Sequence, residues 1–167
     1  LGSLAPRDPE VQTVLLAQQH LVGAVQPGHP LLQGRLTARR FADARHVEIP
    51  LSSRDASPVD EALQSLGLQR FVAMTVHSSY GALVVAARSQ LVACVPQVMA
   101  QAMQATLKLE VFKLPLAVRA VPRYMAWHPR YSADPAHQTF RACLQTVMDP
   151  QNWRQPQGAA ARKAAAA

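Results

Sequence analysis

Residues 91–95 read Leu-Val-Ala-Cys-Val and stop at Pro96, with no polar side chain among them. A strand with one wet face alternates apolar and polar residues. An unbroken apolar run suits a strand covered on both faces, and so demands layers above and below it. The neighbouring sequence supplies them. Ser78 or Ser79 caps a helix predicted over 80–87, and Pro96 opens another that runs to about residue 103. Upstream, Ser57 stands at an N-cap, Pro58 at the first helical position and Asp60 and Glu61 in the first turn, with Gly67 as the stop. Thr37 caps a short helix through residue 42, and Asp134-Pro135 starts a last helix whose apolar positions Phe140, Leu144 and Val147 recur at spacings of four and three. Strands are predicted over 11–17, 20–26, 46–49, 71–76, 107–114 and 123–127. Strands alternating with helices imply an α/β layered domain with a mainly parallel sheet.

Charge has to be placed before it is interpreted. The 167 residues carry 17 basic and 10 acidic side chains, net +7, which suggests nucleic acid as a partner. Arg154, Arg162 and Lys163 fall in the low-complexity tail 151–167, leaving 14 basic against 10 acidic ahead of it. No three basic residues are consecutive, so the stripe that tracks a phosphate backbone is missing from the sequence. Cys94 and Cys143 lie far apart and form no metal or redox motif, which suits a reducing, cytoplasmic setting. The uncharged stretch 89–107 contains Pro96 and four glutamines, which hydrocarbon tolerates poorly, and no membrane partner is expected. The six histidines show no HxH, HxxxH or HExxH spacing, so neither a metal nor another cofactor is predicted. His29 and His128 each precede a proline, where turn geometry accounts for them.

His77-Ser78-Ser79-Tyr80-Gly81 is the segment most like a site. A strand feeding a helix through two serines collects hydroxyls and free backbone N–H groups at the positive end of a helix dipole, which suits a carboxylate or phosphate. Ordinary capping explains the same residues. The segment also half-matches the nucleophile elbow G-x-S-x-G, with Ser79 as nucleophile and Asp134 and His137 following in hydrolase order, but His77 stands where the first glycine belongs. The loop Ser52-Ser53-Arg54-Asp55 offers hydroxyls and a guanidinium to an anion, or is simply a solvated loop.

Several segments together resemble one family, in order and spacing. Leu1-Gly2-Ser3-Leu4 resembles the segment by which LysR-type transcriptional regulators leave their first effector lobe. The run 19–25, Gln-His-Leu-Val-Gly-Ala-Val, continuing into Pro27-Gly28-His29-Pro30-Leu31, resembles the entry to the second lobe. Residues 71–76, the helix 80–87 and the run 91–96 resemble the family's strand–helix–"LLP" passage, and Leu114-Pro115-Leu116 its return crossover. Trp127-His128-Pro129-Arg130, then Asp134-Pro135-Ala136-His137 and Phe140-Arg141, resemble the last strand and helix of the nodulation-regulator branch. In place of the glycines that many members carry before "LLP", this chain has Ser89-Gln90-Leu91, and "LLP" itself is Cys94-Val95-Pro96.

The resemblance implies an α/β, periplasmic-binding-protein-like (type 2) effector domain with its second lobe essentially complete and its first partial. Residues 1–12 are then the outward crossover, 13–115 lobe two, 116–127 the return crossover, 128–148 the C-terminal part of lobe one and 149–167 a disordered tail. The chain opens on Leu1 and not Met, as a C-terminal piece does. Also implied are a small effector, often anionic or aromatic, bound between the lobes, a homo-oligomer, and DNA contact only through an absent N-terminal winged helix-turn-helix. The family's ligand positions fall here on Ser3, Ser52, Ser53, Arg54, His77, Ser78 and Ser79. Two other functions remain open on the residues alone: a solute-binding protein of transport, which shares the fold, and a small serine hydrolase using Ser79.

Overall fold

The structure, a computed structural model, describes residues 1–3, 8–50 and 57–149. The chain forms two compact units, Leu1–Gln18 with Pro122 onward, and Gln19–Val121.

The larger unit is a three-layer sandwich. Its strands are β2 (Leu21–Val25), β3 (Arg45–Glu48), β4 (Phe71–Thr75), β5 (Val92–Pro96) and β6 (Glu110–Phe112), hydrogen-bonded in the order β4-β3-β5-β2-β6. Helices α1 (Ala38–Asp43) and α2 (Pro58–Gln64) cover one face, and α3 (Ser79–Ala87) and α4 (Gln97–Leu107) the other. Side chains of β5 divide between the faces as the pleat requires. Val92 joins Val25, Phe41, Val59 and Leu63 under α1 and α2, whereas Ala93 and Val95 join Val22, Val47, Leu83 and Ala86 under α3 and α4. Burying side chains as large as Phe41, Leu63 and Leu83 contributes about 1.5–3 kcal/mol each. The apolar run therefore lies in the middle of two cores.

Strand direction differs from the expectation of a mainly parallel sheet. β3 runs parallel to β4 and β5, but β2 runs antiparallel to both β5 and β6, so the sheet is mixed. An apolar run is covered on both faces whichever way its neighbours point, so composition carries no signal of direction.

The helix boundaries follow local chemistry. The Ser57 hydroxyl accepts the Val59 N–H at 3.3 Å, and Gly67, at φ +68°, lets the Leu68 N–H return to Leu63 O at 3.0 Å. α4 runs one turn past the predicted residue 103 because its stop is Lys108, held at φ 53°, where neither glycine nor proline marks the end. The His-Pro pairs open 3-10 turns at Pro30–Leu32 and Pro129–Tyr131. Each imidazole Nδ1 accepts the N–H two residues on, at 3.0 Å for His29 and 3.2 Å for His128.

The smaller unit pairs β1 (Gln12–Gln19) with β7 (Val121–Trp127) and carries α5 (Pro135–Met148). Gly2 and Tyr124 bridge in antiparallel fashion, with N···O distances of 3.0 and 2.8 Å. α5 starts where expected, with Asp134 Oδ1 accepting the His137 N–H at 2.8 Å, yet none of its residues is buried. Phe140 and Val147, two positions of its predicted apolar stripe, are 60% and 63% exposed.

Candidate functional site

Sheet topology marks one place on the larger unit. From β3 the chain passes through α2 to β4 on one side, while β5 lies on the other side of β3 and feeds α4. Because α2 and α4 cover opposite faces, the connections leaving β3 and β5 diverge at the carboxyl ends of the strands. Ligands of open α/β sheets bind at such switch points. At this end of the sheet a depression of about 630 Å³ is lined by His20, Gln97, Gln101, Phe112, Lys113 and Leu116.

The segment His77-Ser78-Ser79 follows β4 at the same end. Val76 N–H donates to Glu48 O at 2.9 Å, which brings the end of β3 beside the start of this segment. The two serines have different tasks. Ser78 is the N-cap: its hydroxyl accepts the Gly81 N–H at 3.0 Å and its carbonyl the Ala82 N–H at 3.0 Å. Ser79, at the first helical position and half-buried, keeps its hydroxyl and N–H unpaired among the described residues, as does the Tyr80 N–H. A hydroxyl and two N–H groups therefore remain available at the positive end of α3. His77 is exposed beside them.

The other expected positions are distributed differently. Ser52, Ser53 and Arg54 lie outside the described residues. Ser3 belongs to the smaller unit, where its hydroxyl accepts from Arg123 Nη1 at 3.1 Å. The hydrolase arrangement is not built. The Asp134 carboxylate meets the His137 backbone N–H and not the ring, and His137 Nδ1 is in contact with Arg141 Nη1 at 2.6 Å. Among the described residues, no cluster of three His, Cys, Asp or Glu side chains could hold a metal ion, and no helix is long and apolar enough to cross a membrane.

A part-buried ionic cluster around Arg70 was missed by sequence reasoning. Arg70, immediately before β4, pairs with Glu48 and with Asp60, the latter through Nε at 2.7 Å and Nη2 at 3.1 Å, and its Nη2 lies 3.3 Å from Ser57 Oγ. Burial raises the Asp60 carboxyl above its usual range and lowers the Arg70 guanidinium. The three charges stand 12 and 10 positions apart in sequence, so only the fold could pair them.

These features define the class: a periplasmic-binding-protein-like effector domain of mixed α/β architecture. The chain belongs to the LysR substrate binding domain family, whose model matches residues 1–149. The transcriptional regulator SyrM of Rhizobium meliloti is 33% identical over 114 residues, covering 68% of this chain and 35% of SyrM. LeuO of Escherichia coli, also a transcriptional regulator, is 27% identical over 139 residues, covering 83% of this chain and 44% of its own. The chain thus spans between a third and a half of these relatives. The regulatory domain of MexT, a transcriptional activator in Pseudomonas aeruginosa, superposes with a TM-score of 0.72 at 22% identity, over 86% of this chain and 68% of that one. The relatives are regulators, which disfavours both the transport and the hydrolase alternatives.

Proposed function

We propose that this chain is the ligand-sensing part of a bacterial transcription regulator that is cytoplasmic and not an enzyme. A small anionic metabolite binds at the carboxyl edge of the larger unit's sheet. Its acidic group meets the Ser79 hydroxyl and the N–H groups of Ser79 and Tyr80, with His77 beside it and Ser52, Ser53 and Arg54 supplied by the segment after β3. The observation that carries this reading is the unpaired start of α3 at a topological switch point. Occupancy shifts the arrangement of subunits in a homo-oligomer and so changes the grip on DNA of a winged helix-turn-helix outside these residues. Self-association has a suitable surface in β4, an edge strand with Phe71, Val72 and Met74 exposed.

A gel-shift titration of the full-length protein against its own and neighbouring promoters, with and without small carboxylic acids, tests the proposal. A shift altered by one of the acids is expected. Absence of DNA binding under every condition overturns it.

A further inference from the structure

A second depression, of about 630 Å³, lies at the opposite end of β3 and β5 from the switch point. It opens where β3 begins at Arg45 and the chain enters β5 through Leu91, the two strands pairing there at His46 and Val92. Side chains that bond to backbone build its walls. His29, 5% exposed, accepts the Leu31 N–H on Nδ1, so Nε2 carries the ring proton and donates to Gln90 O at 3.2 Å. That bond ties the turn at residues 28–31 to the turn ahead of β5. Arg40 Nη1 donates to Arg35 O at 2.8 Å, and Nη2 to Pro30 O and Gln33 O at 2.8 and 3.0 Å, which fastens the same turn to α1. The Ser89 hydroxyl donates to Val85 O at 2.7 Å and accepts the Leu91 N–H at 3.2 Å, which holds the turn after α3. Walls fixed in this way need little ordering when a ligand arrives, and the volume suits a small metabolite.

The charges at the depression decide which metabolite. Arg40 spends its donors on three carbonyls, so Asp43 and Arg45 are the charged side chains left to meet a ligand. They stand two positions apart and opposite in sign, yet neither hydrogen-bonds nor ion-pairs among the described residues. Arg45 lies over the Phe71 ring at 5.7 Å, a stacking that steadies the guanidinium plane and leaves its N–H edge free. Leu31, Met74 and Leu91 add apolar surface. A simple anion would face the Asp43 carboxylate, and a simple cation the Arg45 guanidinium. A molecule with both charges on adjoining groups and an apolar remainder meets each side chain with its opposite.

We propose that this depression is a second binding site, which takes a free α-amino acid with an apolar side chain. The carboxylate pairs with Arg45, the ammonium with Asp43, and the side chain packs against Leu31, Met74 and Leu91. The site shares no residue with the start of α3, so it stands or falls apart from the acid proposed for the carboxyl edge.

Calorimetric titration of the full-length protein with L-leucine and L-phenylalanine tests the site, alongside the analogues that lack the ammonium (isocaproate, phenylpropanoate) or the carboxylate (isoamylamine, phenethylamine). At least one of the two amino acids should bind, and its analogues should bind at least tenfold more weakly. Arg45→Gln and Asp43→Asn should each weaken that binding at least tenfold, with part of the loss recovered in Arg45→Lys. Both side chains are exposed, so the substitutions leave the core intact. Hydrogen exchange with the amino acid bound should slow at residues 28–31 and 89–92. Failure of both amino acids to bind at millimolar concentration overturns the proposal, as does equal binding of the analogues or unchanged affinity in both variants. Slowing confined to residues 77–81 also overturns it, because the ligand would then occupy the start of α3. Failure of the effector reading looks different: amino-acid binding would persist while no carboxylic acid altered the gel shift.

Discussion

Phe112 lays its ring over the bare Cα of Gly23 on the neighbouring strand, so that a Cβ added at Gly23 would stand 2.2 Å from ring carbon Cζ. The glycine is needed for that close approach and not for an unusual backbone angle. Gly23→Ala should destabilise the domain by about 1–3 kcal/mol, the usual range for overpacking. A lowered urea midpoint, restored in part by Phe112→Leu in the same chain, is the expected result. An unchanged midpoint would show that the ring moves aside freely.

His46 makes stability depend on pH. It is fully buried, its Nε2 donates to Phe41 O at 2.8 Å, and its Nδ1 has no partner among the described residues. Burial lowers its pKa to about 4, assisted by the charges of Arg70 and His29 and opposed by the bond to Phe41. Between pH 6.5 and 4 the unfolded chain takes up a proton that the folded one refuses, so stability falls as pH falls through that window. The loss attributable to His46 reaches about 3 kcal/mol by pH 4 and is absent above pH 7. Urea midpoints measured across this range should fall less steeply in His46→Gln, and equal slopes would assign the dependence to other groups.

The two serines at the start of α3 should separate stability from binding. Ser78→Ala removes the cap to Gly81 and should cost about 1 kcal/mol of stability. Ser79→Ala should leave stability within about 0.5 kcal/mol, because its hydroxyl has no partner among the described residues. The same change, and Arg54→Ala, should each weaken binding of an anionic effector by about 1–3 kcal/mol. Calorimetric titration with the acid identified by gel shift decides this, and unaltered affinity in both variants would remove the site from α3.

Phe71 is 61% exposed on edge strand β4, with Arg45 stacked over its ring at 5.7 Å. If β4 carries the self-association, Phe71→Glu should raise the dissociation constant at least tenfold, about 1.4 kcal/mol, by placing charge on an apolar edge. Sedimentation equilibrium of the full-length protein checks it, and an unaltered constant would move the contact elsewhere.

Much of the architecture was legible because its signals are local. Ser57-Pro58, Thr37, Ser78 and Asp134-Pro135 announce helix starts through groups that satisfy N–H donors a few residues away, and each cap forms as read. The end of α4 was not legible, since Lys108 adopts a left-handed conformation that its residue type does not advertise. The start of α3 was legible as a capped helix start, but Ser78 and Ser79 were interchangeable until the cap geometry separated them.

By itself, then, the sequence determined the layers: the run 91–95 requires cover on both faces, and capped helices on either side provide it. It also determined the family, through motifs whose order survives in the text. Tertiary structure alone decided that β2 runs against β5, that α5 buries none of its residues, and that Glu48, Ser57, Asp60 and Arg70 meet. The physical reason is range. Caps and periodicity act over three or four residues, whereas strand direction and a shared guanidinium depend on where distant segments come to lie.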